Sequence, residues 1–326
     1  MSSRPTRILV IRFSSIGDIL LTAPAIVSLR AAIHGPCEIH FLTKSKMRGV
    51  AEGFGALIDC IHTIDSSTAE VTEELKSLGI DYIIDLHSNV RSRAIKRALG
   101  CVAFTLDKQN LSKWFLIRGW LKLPIAHIVE RYIDSFQEAF GAAIPSAWPE
   151  MFAAATLPAN FEARDGSWEV IAVGAAHVGK QLPIELMRSL IRRATANGRR
   201  TVLIGGQTDT EIGEALNEGS NNAVVNLVGK TSIAESAALL RGAERTYAGD
   251  TGMMHMSAAV GTPVTSIWGC TRPSSGMAPW SPASGSRALL PSGRDSLRPC
   301  SKLGNRCRFG GEKDCMHQHV VNQTEL

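Results

Sequence analysis

A carboxylate ends the first polar loop of the chain. This loop, residues 13–18, reads FSSIGD and follows the apolar run RILVIR. Asp18 lies where a helix should begin, so its carboxylate could either cap backbone N–H groups or act as a general base. The loop also offers Ser14, Ser15 and Gly17, but it lacks the G-x-G-x-x-G pattern of a dinucleotide site.

A second polar loop, residues 249–255, reads GDTGMMH and follows the strand-like run RTYA. Gly252 would let the backbone approach a ligand closely, and the N–H groups of the helix that follows would form an anion site. His255 lies in the first helical turn and could reach a phosphate bound there. Alternatively, Asp250 or Thr251 caps an ordinary strand-to-helix turn.

A lysine follows the first apolar run of the second half of the chain. Lys180 closes the segment GAAHVGK and precedes Pro183, a residue type favoured at helix starts. Its ammonium group could neutralise a diphosphate, or it could be an ordinary surface lysine. The segment 205–207, GGQ, follows the next apolar run and could line the same pocket.

Three cysteines near the end of the sequence have the spacing C-x6-C-x7-C. They are Cys300, Cys307 and Cys315. The pattern lacks the paired C-x2-C of a strong zinc signal, although Cys270, His317 or His319 could supply a fourth ligand. The spacing leaves two interpretations open, a metal site and ordinary thiols.

The elements that must position these loops follow from an alternation of short apolar runs with helical patterns. Strands are predicted at residues 7–12, 38–42, 60–64, 82–86 and 102–105, and then at 169–173, 201–204, 223–226, 245–248 and 264–268. Short apolar strands separated by helices are typical of parallel sheets covered on both faces. The sequence therefore predicts an α/β fold with two doubly wound, Rossmann-like domains.

The segment 142–166 is rich in proline, alanine and aromatic residues and is interpreted as an interdomain linker. The predicted domains are residues 1–150 and residues 165–326, the second carrying the cysteine-containing tail. Ligands of doubly wound sheets lie beyond the carboxyl ends of the strands. We therefore expect an active cleft where the loop ending in Asp18 faces loop 249–255.

Length and composition agree with two globular domains. The chain has 326 residues, of which 44% are apolar and 20% charged, which suffices for two buried cores. The net charge of +5 is weak for a nucleic-acid-binding protein. The basic residues between Arg91 and Lys122 are either a solvated face or a surface that attracts an anionic substrate or acidic lipids.

The sequence shows neither a membrane-spanning segment nor a secretion signal. No apolar run reaches the roughly 20 residues that cross a bilayer, and no signal peptide precedes the first strand. We therefore expect a cytoplasmic protein that could also associate with a membrane surface. Seven cysteines, an odd number, argue against a disulfide framework.

Four segments together resemble the bacterial heptosyltransferases, glycosyltransferase family 9, which build the inner core of lipopolysaccharide from ADP-heptose. They extend over nearly the whole chain and read ILVIRFSSIGDILLTAPAI, DYIIDLHSNVRS, HIVERY and GDTGMMHMSAAVGTPVTSIWGCTRP. The resemblance implies the glycosyltransferase-B fold. It also implies that residues 1–150 bind the acceptor and that residues 165–326 bind the nucleotide sugar.

The resemblance assigns roles to individual residues. Asp18 matches the proposed base of the family, and Ser14, Ser15 and Gly17 belong to the same acceptor-side loop. Lys180 is similar to the lysine that binds the donor phosphate. The element that holds the donor sugar and diphosphate matches Asp250, Thr251, Gly252 and His255.

The reaction implied by the resemblance is an inverting transfer of heptose from ADP-heptose, without a cofactor or a catalytic metal. The acceptor would be an anionic inner-core glycolipid at the cytoplasmic face of the inner membrane, and nucleic acid would not be a partner. The chain departs from the family at Gln181 and Leu182, where the family often has tryptophan before the proline, and in its tail cysteines. Two alternatives stay open: another nucleotide sugar as donor, or a nucleotide-sugar-binding protein without catalysis.

Overall fold

Strands and helices alternate along most of the chain in the computed structural model, which describes residues 4–163, 167–220, 223–291, 297–305 and 314–321. The strands are β1 (Thr6–Ile11), β2 (Cys37–Lys44), β3 (Cys60–Ile64), β4 (Tyr82–Asp85), β5 (Val102–Thr105), β6 (Trp168–Ala172), β7 (Arg200–Ile204), β8 (Val224–Asn226), β9 (Arg245–Ala248), β10 (Val264–Ile267) and β11 (Arg287–Leu289). The helices are α1 (Ile16–Leu20), α2 (Ala23–Ala32), α3 (Arg48–Glu52), α4 (Ala69–Leu78), α5 (Val90–Leu99), α6 (Asn110–Arg118), α7 (Ile128–Phe140), α8 (Ile184–Ala196), α9 (Thr210–Asn217), α10 (Ile233–Arg241), α11 (Gly252–Ala259) and α12 (Asp314–Val321).

The chain divides into two compact units. The first comprises Met1–Gln109 and His127–Ala153, and the second comprises Asn110–Ala126 and Ala154–Leu326. Helix α6 and the residues after it therefore belong to the second unit, although they lie between two parts of the first along the sequence. None of the helices in the described ranges has the length and apolarity needed to cross a membrane.

The first unit is built on a parallel sheet with the strand order β3-β2-β1-β4-β5. Its central strand β1 is buried on both faces from Ile8 to Ile11, which explains why the run reads as continuously apolar. Helices α4 and α5 cover one face, where Val71 and Ile95 join the core around Leu9 and Ile11. The register pairs Ile11 with both Leu42 and Asp85, so the loops after β1 and β4 begin side by side.

The second unit is built on a second parallel sheet, with the order β11-β10-β9-β6-β7-β8. Its core joins β6 and β7 to helix α8 through Ile171, Leu203 and Leu186. Helix α12 extends this core, because Met316 is fully buried in it. The loops after β6, β9 and β10 all leave from the same edge of this sheet.

Helix starts follow the local sequence signals. A capping box opens α10, since the Ser232 N–H donates to Glu235 Oε2 at 2.7 Å and the Glu235 N–H donates to Ser232 Oγ at 3.1 Å. An equivalent arrangement joins Asn89 and Ser92 at the start of α5. Each pair satisfies N–H groups that the helix itself cannot.

Every predicted strand is present with ends within two residues of the predicted ones. Strand β11 was not predicted. It has only three residues, which is too short for hydrophobic periodicity to identify. A helix was expected to begin at Asp18, and α1 begins two residues earlier, at Ile16.

Candidate active site

Asp18 belongs to the first turn of α1, and its carboxylate accepts several hydrogen bonds. Oδ2 accepts from the Ser15 backbone N–H at 3.2 Å and from Ser15 Oγ at 2.8 Å. The N-cap residue is Ser15, so Asp18 is the third residue of the helix and not its cap. The capping alternative thus takes a different form, because the Asp18 side chain reaches back to the cap residue.

Arg12 holds the second oxygen of the same carboxylate. Its Nη2 lies 2.8 Å from Asp18 Oδ1, and its Nε donates to the Ser14 carbonyl at 2.8 Å. A further N–H donates to the Leu86 carbonyl of the neighbouring loop. Arg12 is buried and anchored on both loops, so it fixes the position as well as the charge of Asp18.

The protonation of Asp18 reflects two opposing effects. Burial disfavours the charged carboxylate, but the Arg12 charge and the Ser15 hydrogen bonds outweigh it, so the pKa of Asp18 lies below its usual value. The carboxylate is therefore ionised at neutral pH. It can accept a proton, as a general base must.

Helix α7 packs against the loop that contains Asp18. Apolar residues at helical spacing, Ile128, Val129, Tyr132, Ile133 and Phe136, turn its buried face toward the sheet. The Tyr132 hydroxyl donates to the Asp18 carbonyl at 3.4 Å, and its ring lies 5.8 Å from the Arg12 guanidinium. The segment HIVERY therefore supports the Asp18 loop from behind, a role that sequence reasoning did not assign to it.

His87 in the loop after β4 was also missed by the sequence analysis. Buried Asp85 shapes this loop by accepting the N–H groups of His87 and Ser88 at 3.1 and 2.7 Å and pairing with Lys96 at 2.9 Å. His87 packs edge-on against Phe13, and burial together with Arg12 lowers its pKa to about 4. Its ring is thus a neutral group beside the Asp18 loop.

In the second unit, Lys180 and Asp250 form an ion pair. Nζ of Lys180 lies 2.7 Å from Asp250 Oδ2, and both side chains are mostly buried, with 17% and 10% of their surfaces exposed. Lys180 ends a 3-10 turn after β6, and Asp250 follows β9. These strands are neighbours in the sheet, which is why residues 70 positions apart in the sequence meet.

Glycines allow the backbones of these loops to approach one another. A Cβ atom at Gly249 would lie 2.2 Å from the Lys180 carbonyl oxygen, and one at Gly179 would lie 2.6 Å from the Gly304 carbonyl oxygen. Both distances are impossible for real side chains. Glycine at 249 therefore serves the Lys180–Asp250 contact directly.

Helix α11 begins beside the ion pair. Thr251 is its N-cap residue and Gly252 its first residue. The Thr251 hydroxyl oxygen is buried and has no hydrogen-bond partner within the part of the chain that the structure describes. This polar atom and the N–H groups of the first helical turn suit an anionic ligand. His255 lies on the same helix but is 98% buried, with 2% of its surface exposed.

At Leu182, where the family often has tryptophan, the departure from the family lies in the protein core. Leu182 is 5% exposed and packs with Ile171, Leu186 and Met316. Gln181 donates from Nε2 to the Ala175 carbonyl at 3.5 Å. The leucine therefore alters packing behind the Lys180 turn and does not line the surface beside the ion pair.

The tail cysteines remain a prediction as a metal site. Within the described ranges, Cys300 and Cys315 belong to no group of three ligating side chains with donor atoms within 4.8 Å of one another. Cys307 lies outside the described residues. The Cys300 N–H donates to the Cys270 carbonyl at 2.9 Å, and His319 Nε2 lies 3.0 Å from the Trp268 carbonyl oxygen. These contacts attach the tail to the loop after β10.

The chain is similar in sequence to known enzymes. The family model described as glycosyltransferase family 9 (heptosyltransferase) matches residues 68–291. Lipopolysaccharide heptosyltransferase 1 of Escherichia coli is 26% identical over 286 residues, covering 82% of this chain and 89% of the relative. The enzyme of the same name from Pseudomonas aeruginosa is 24% identical, covering 82% and 79%.

Solved structures of similar fold include two from Escherichia coli. ADP-heptose lps heptosyltransferase II has a TM-score of 0.70 with 16% identity, covering 98% of this chain and 100% of that one. Heptosyltransferase WaaC with ADP-2-deoxy-2-fluoro heptose has a TM-score of 0.68 with 22% identity, covering 98% of each chain. Together with the two parallel sheets, they confirm the predicted glycosyltransferase-B fold class.

Proposed function

The chain belongs to glycosyltransferase family 9, and from that premise we propose that it transfers a heptose from ADP-heptose to an inner-core acceptor of lipopolysaccharide. That it is a glycosyltransferase follows from the family and from relatives that cover most of its length. The identity of the donor and acceptor is the proposed part. The printed names of the relatives, lipopolysaccharide heptosyltransferase 1 and a heptosyltransferase bound to an ADP-heptose analogue, support it.

The observation that carries the proposal is the Asp18 carboxylate, ionised and held by Arg12 and Ser15. Transfer requires an acceptor hydroxyl to lose its proton as it attacks the anomeric carbon. A fixed carboxylate beyond the carboxyl end of β1 is suited to take that proton. We assign Asp18 as the general base and the first unit as the acceptor-binding unit.

The second unit is assigned to the donor. As the acceptor oxygen bonds to the anomeric carbon, the bond from that carbon to the diphosphate breaks and ADP leaves with additional negative charge. Lys180 and the N–H groups at Thr251 and Gly252 can stabilise that charge electrostatically. We therefore propose direct displacement with inversion, in which protein groups supply the stabilisation and no metal is required.

Asp250 has a different role from Asp18 in this scheme. Paired with Lys180 at 2.7 Å, it positions the ammonium group, and its carboxylate can accept a hydrogen bond from a hydroxyl of the sugar. Its own negative charge would repel a diphosphate. We therefore expect Lys180 to turn partly from Asp250 toward the phosphate when the donor binds.

An exposed aromatic and basic surface supports contact with a membrane, where a glycolipid acceptor resides. Leu111, Trp114, Trp120 and Leu123, on α6 and just after it, are exposed, and the Arg118 guanidinium lies 5.0 Å from the Trp114 ring centre. Tryptophan and arginine side chains are favoured at the level of lipid head groups. We propose that this surface, the α6 surface, associates with the cytoplasmic face of the inner membrane.

The donor assignment is tested by titrating the purified protein with ADP-heptose, ADP and UDP-hexoses by calorimetry. The same preparation is then assayed for heptose transfer to a truncated inner-core glycolipid. We expect tight binding of ADP-heptose and formation of the extended glycolipid. Preference for a UDP-sugar would replace the donor, whereas tight binding without transfer to any acceptor would make the chain a binding protein.

The absence of a metal requirement is tested separately with a chelator. Initial transfer rates in the presence of EDTA should equal those of the untreated protein, because Lys180 and the α11 N-terminus carry the charge. A rate that falls at once and returns with added Mg²⁺ or Mn²⁺ would contradict the proposal.

Membrane association of the α6 surface is tested by sedimentation with vesicles. Wild-type protein should sediment with vesicles containing an anionic phospholipid, and the Trp114→Ser/Trp120→Ser variant should not. The Val90→Ser variant is the matched control, because Val90 is an exposed apolar residue at the start of α5. Equal sedimentation of all proteins would reject this surface as the contact.

A further inference from the structure

We propose that His40, Cys60 and His62 form a binding site for a divalent transition-metal ion, with Zn²⁺ as the best-matched ion. The cluster lies in the first unit, on strands β2 and β3, and precedes the residues that the family model matches. It shares no residue with the active site proposed above, and we assign it no part in the transfer.

The strand register brings the cluster together. In the parallel pair of β2 and β3, His40 is the partner of Cys60, and Leu42 is the partner of His62. Side chains two residues apart on a strand point to the same face, so Cys60 and His62 flank His40 on one face. Within the described ranges, these are the only three ligating side chains whose donor atoms lie within 4.8 Å of one another.

The two histidines meet through their ring nitrogens. His40 Nδ1 lies 2.9 Å from His62 Nε2, and the rings are stacked. Two nitrogen ligands of tetrahedral Zn²⁺ are separated by about 3.3 Å, given Zn–N bonds of about 2.0–2.1 Å. The rings need to part by only a few tenths of an ångström to accept an ion.

The hydrogen bonds within the cluster leave one nitrogen of the His40 ring without a partner among the described residues. Glu74 Oε1 lies 2.8 Å from His62 Nδ1, so Nδ1 carries the proton and His62 Nε2 is an acceptor. His40 must then donate from Nδ1, which leaves its Nε2 as a bare lone pair. That atom is buried without a hydrogen-bond partner in the described chain, and Glu38 Oε2 lies 3.8 Å away.

A metal ion removes this conflict. With Zn²⁺ between the rings, His40 Nδ1 becomes a ligand and the proton moves to Nε2, where it faces the Glu38 carboxylate. His62 keeps its Nδ1 proton on Glu74 and offers Nε2 to the ion. Carboxylates that receive the second N–H of a ligating histidine are the usual outer partners of zinc sites.

The donor set and its surroundings favour zinc over the harder cations. Two imidazoles and a thiolate suit Zn²⁺, whereas Mg²⁺ and Ca²⁺ prefer oxygen ligands. His40 and His62 are 5% and 3% exposed, while the Glu74 side chain is 56% exposed. Because β3 is the edge strand of its sheet, an ion and a fourth ligand from solvent can reach the cluster.

An extra proton is the competing explanation. A proton on His62 Nε2 would also let His40 Nδ1 accept, so an imidazolium between Glu74 and His40 satisfies the same atoms. The two explanations differ in what they predict at neutral pH, because only a metal site binds Zn²⁺ and involves Cys60.

The test uses the full-length protein, stripped with a chelator and then titrated with Co²⁺ and Zn²⁺. We expect a thiolate-to-cobalt charge-transfer absorption band that Zn²⁺ abolishes. Cys60→Ser should lose this band, and His62→Gln should bind at least tenfold more weakly. Cys101→Ser is the matched control, a half-buried cysteine in the same unit, and should behave as wild type.

Glu74→Gln provides a variant that should fold, since the side chain is largely exposed. Loss of an outer carboxylate typically weakens metal affinity about 10–100-fold, and we expect a decrease in this range. A cobalt band that persists in Cys60→Ser and disappears in Cys315→Ser would assign the metal to the tail. Equal Co²⁺ binding by wild type, His62→Gln and Glu74→Gln would overturn the proposal and leave the proton explanation.

Discussion

Asp18 in the first unit and Asp250 in the second are both carboxylates beyond the ends of central strands, yet their surroundings differ. Asp18 accepts from Arg12 and twice from Ser15. Asp250 is paired with Lys180, next to a Thr251 hydroxyl that has no partner among the described residues. The Asp18 carboxylate is held by several donors. The Asp250 carboxylate is held by one lysine, and the neighbouring Thr251 hydroxyl makes no hydrogen bond to the described residues.

The difference fits the two roles proposed above, Asp18 as the general base and Asp250 as part of the donor site. A general base must be ionised and fixed relative to the hydroxyl it deprotonates, and several donors achieve both. In the proposed donor site, the Lys180–Asp250 ion pair must instead open so that Lys180 can contact the diphosphate. A single lysine contact can rearrange in this way. Substitutions at four residues test this difference between the two carboxylates.

The largest effect is expected for Asp18→Asn. Asparagine keeps the size of the side chain but cannot take a proton, so kcat should fall by about 10²–10⁴-fold. The Kd of the nucleotide sugar, measured by calorimetry, should change little. Asp134→Asn, at an exposed carboxylate on α7, should retain wild-type activity. Parallel losses of kcat and of donor binding would mean that Asp18 only supports the loop.

Lys180→Met should chiefly weaken donor binding. Removing a charged hydrogen bond costs about 1.5–3 kcal/mol, and Asp250 would then face the diphosphate alone, so Kd should rise about 10²-fold. Lys180→Met/Asp250→Asn should recover part of the loss, because the repulsive charge is gone. Lys76→Met, at an exposed lysine paired with Glu73, is the control. No recovery in the double variant would argue against ligand-driven exchange of the Lys180 contact.

Arg12→Gln should change the pH dependence of kcat/KM. The Arg12 charge keeps the pKa of Asp18 low, so the wild-type base stays ionised and activity should show no acid limb between about pH 5 and pH 8. Without that charge the effect of burial dominates, the pKa rises, and activity should decline as pH falls through it. Circular dichroism establishes that the variant folds. An unchanged profile would remove Asp18 as the titrating base.

The low pKa of Asp18 should also make the free energy of unfolding depend on pH. A carboxyl group with a depressed pKa stabilises the folded state above its unfolded pKa, and this contribution is lost as pH falls through the folded value. The wild-type protein should therefore lose more stability on acidification than Arg12→Gln does. Chemical denaturation at a series of pH values measures this difference.

The smallest effect is expected for Thr251→Val. Its hydroxyl has no partner in the described chain, so unfolding free energy should change little, while loss of one neutral hydrogen bond to the donor should raise KM up to about tenfold. Thr246→Val is the contrasting variant, since Thr246 Oγ1 accepts from Ser257 Oγ at 2.9 Å. It should lose about 1 kcal/mol of stability with no change in KM. The reverse pattern would show that Thr251 is structural.

Most of the sheet strands, all except β11, were predictable because each is a short apolar run that can be recognised from its own residues. The run from Ile8 to Ile11 is apolar and fully buried, and parallel strands carry this signal without help from distant residues. Helix α6 lacks such a signal, since only Leu116 is buried among its residues. Helix α12 depends on Met316 packing into a distant core, which no local pattern reveals.

Candidate site residues could be predicted where a reactive side chain lies in a polar loop directly after a strand. Asp18, Lys180 and Asp250 came from loop position and from the family resemblance. Arg12 was hidden as the charged end of an apolar strand, and its contacts to Ser14 and Leu86 depend on neighbouring loops. An arginine at the end of an apolar strand, immediately before a polar loop, is the sequence signal that could have identified it.

The His40, Cys60 and His62 cluster required the strand register. His40 lies 20 residues before Cys60 and 22 before His62, and the three do not have a known metal-binding spacing. A shift of one residue in the pairing of β2 and β3 would turn His40 to the opposite face from its partners. Residue spacing alone therefore could not predict the cluster.

The interleaving of the two units has a consequence for synthesis on the ribosome. The first unit is complete once Ala153 has emerged, whereas residues 110–126 belong to the second. Their anchors come much later, because the Ile125 N–H donates to the Ser274 carbonyl and Arg298 to the Ile117 carbonyl. Since chains emerge from the N-terminus and domains fold as units, this tryptophan-bearing segment emerges well before the residues that anchor it and stays without them while the first unit folds.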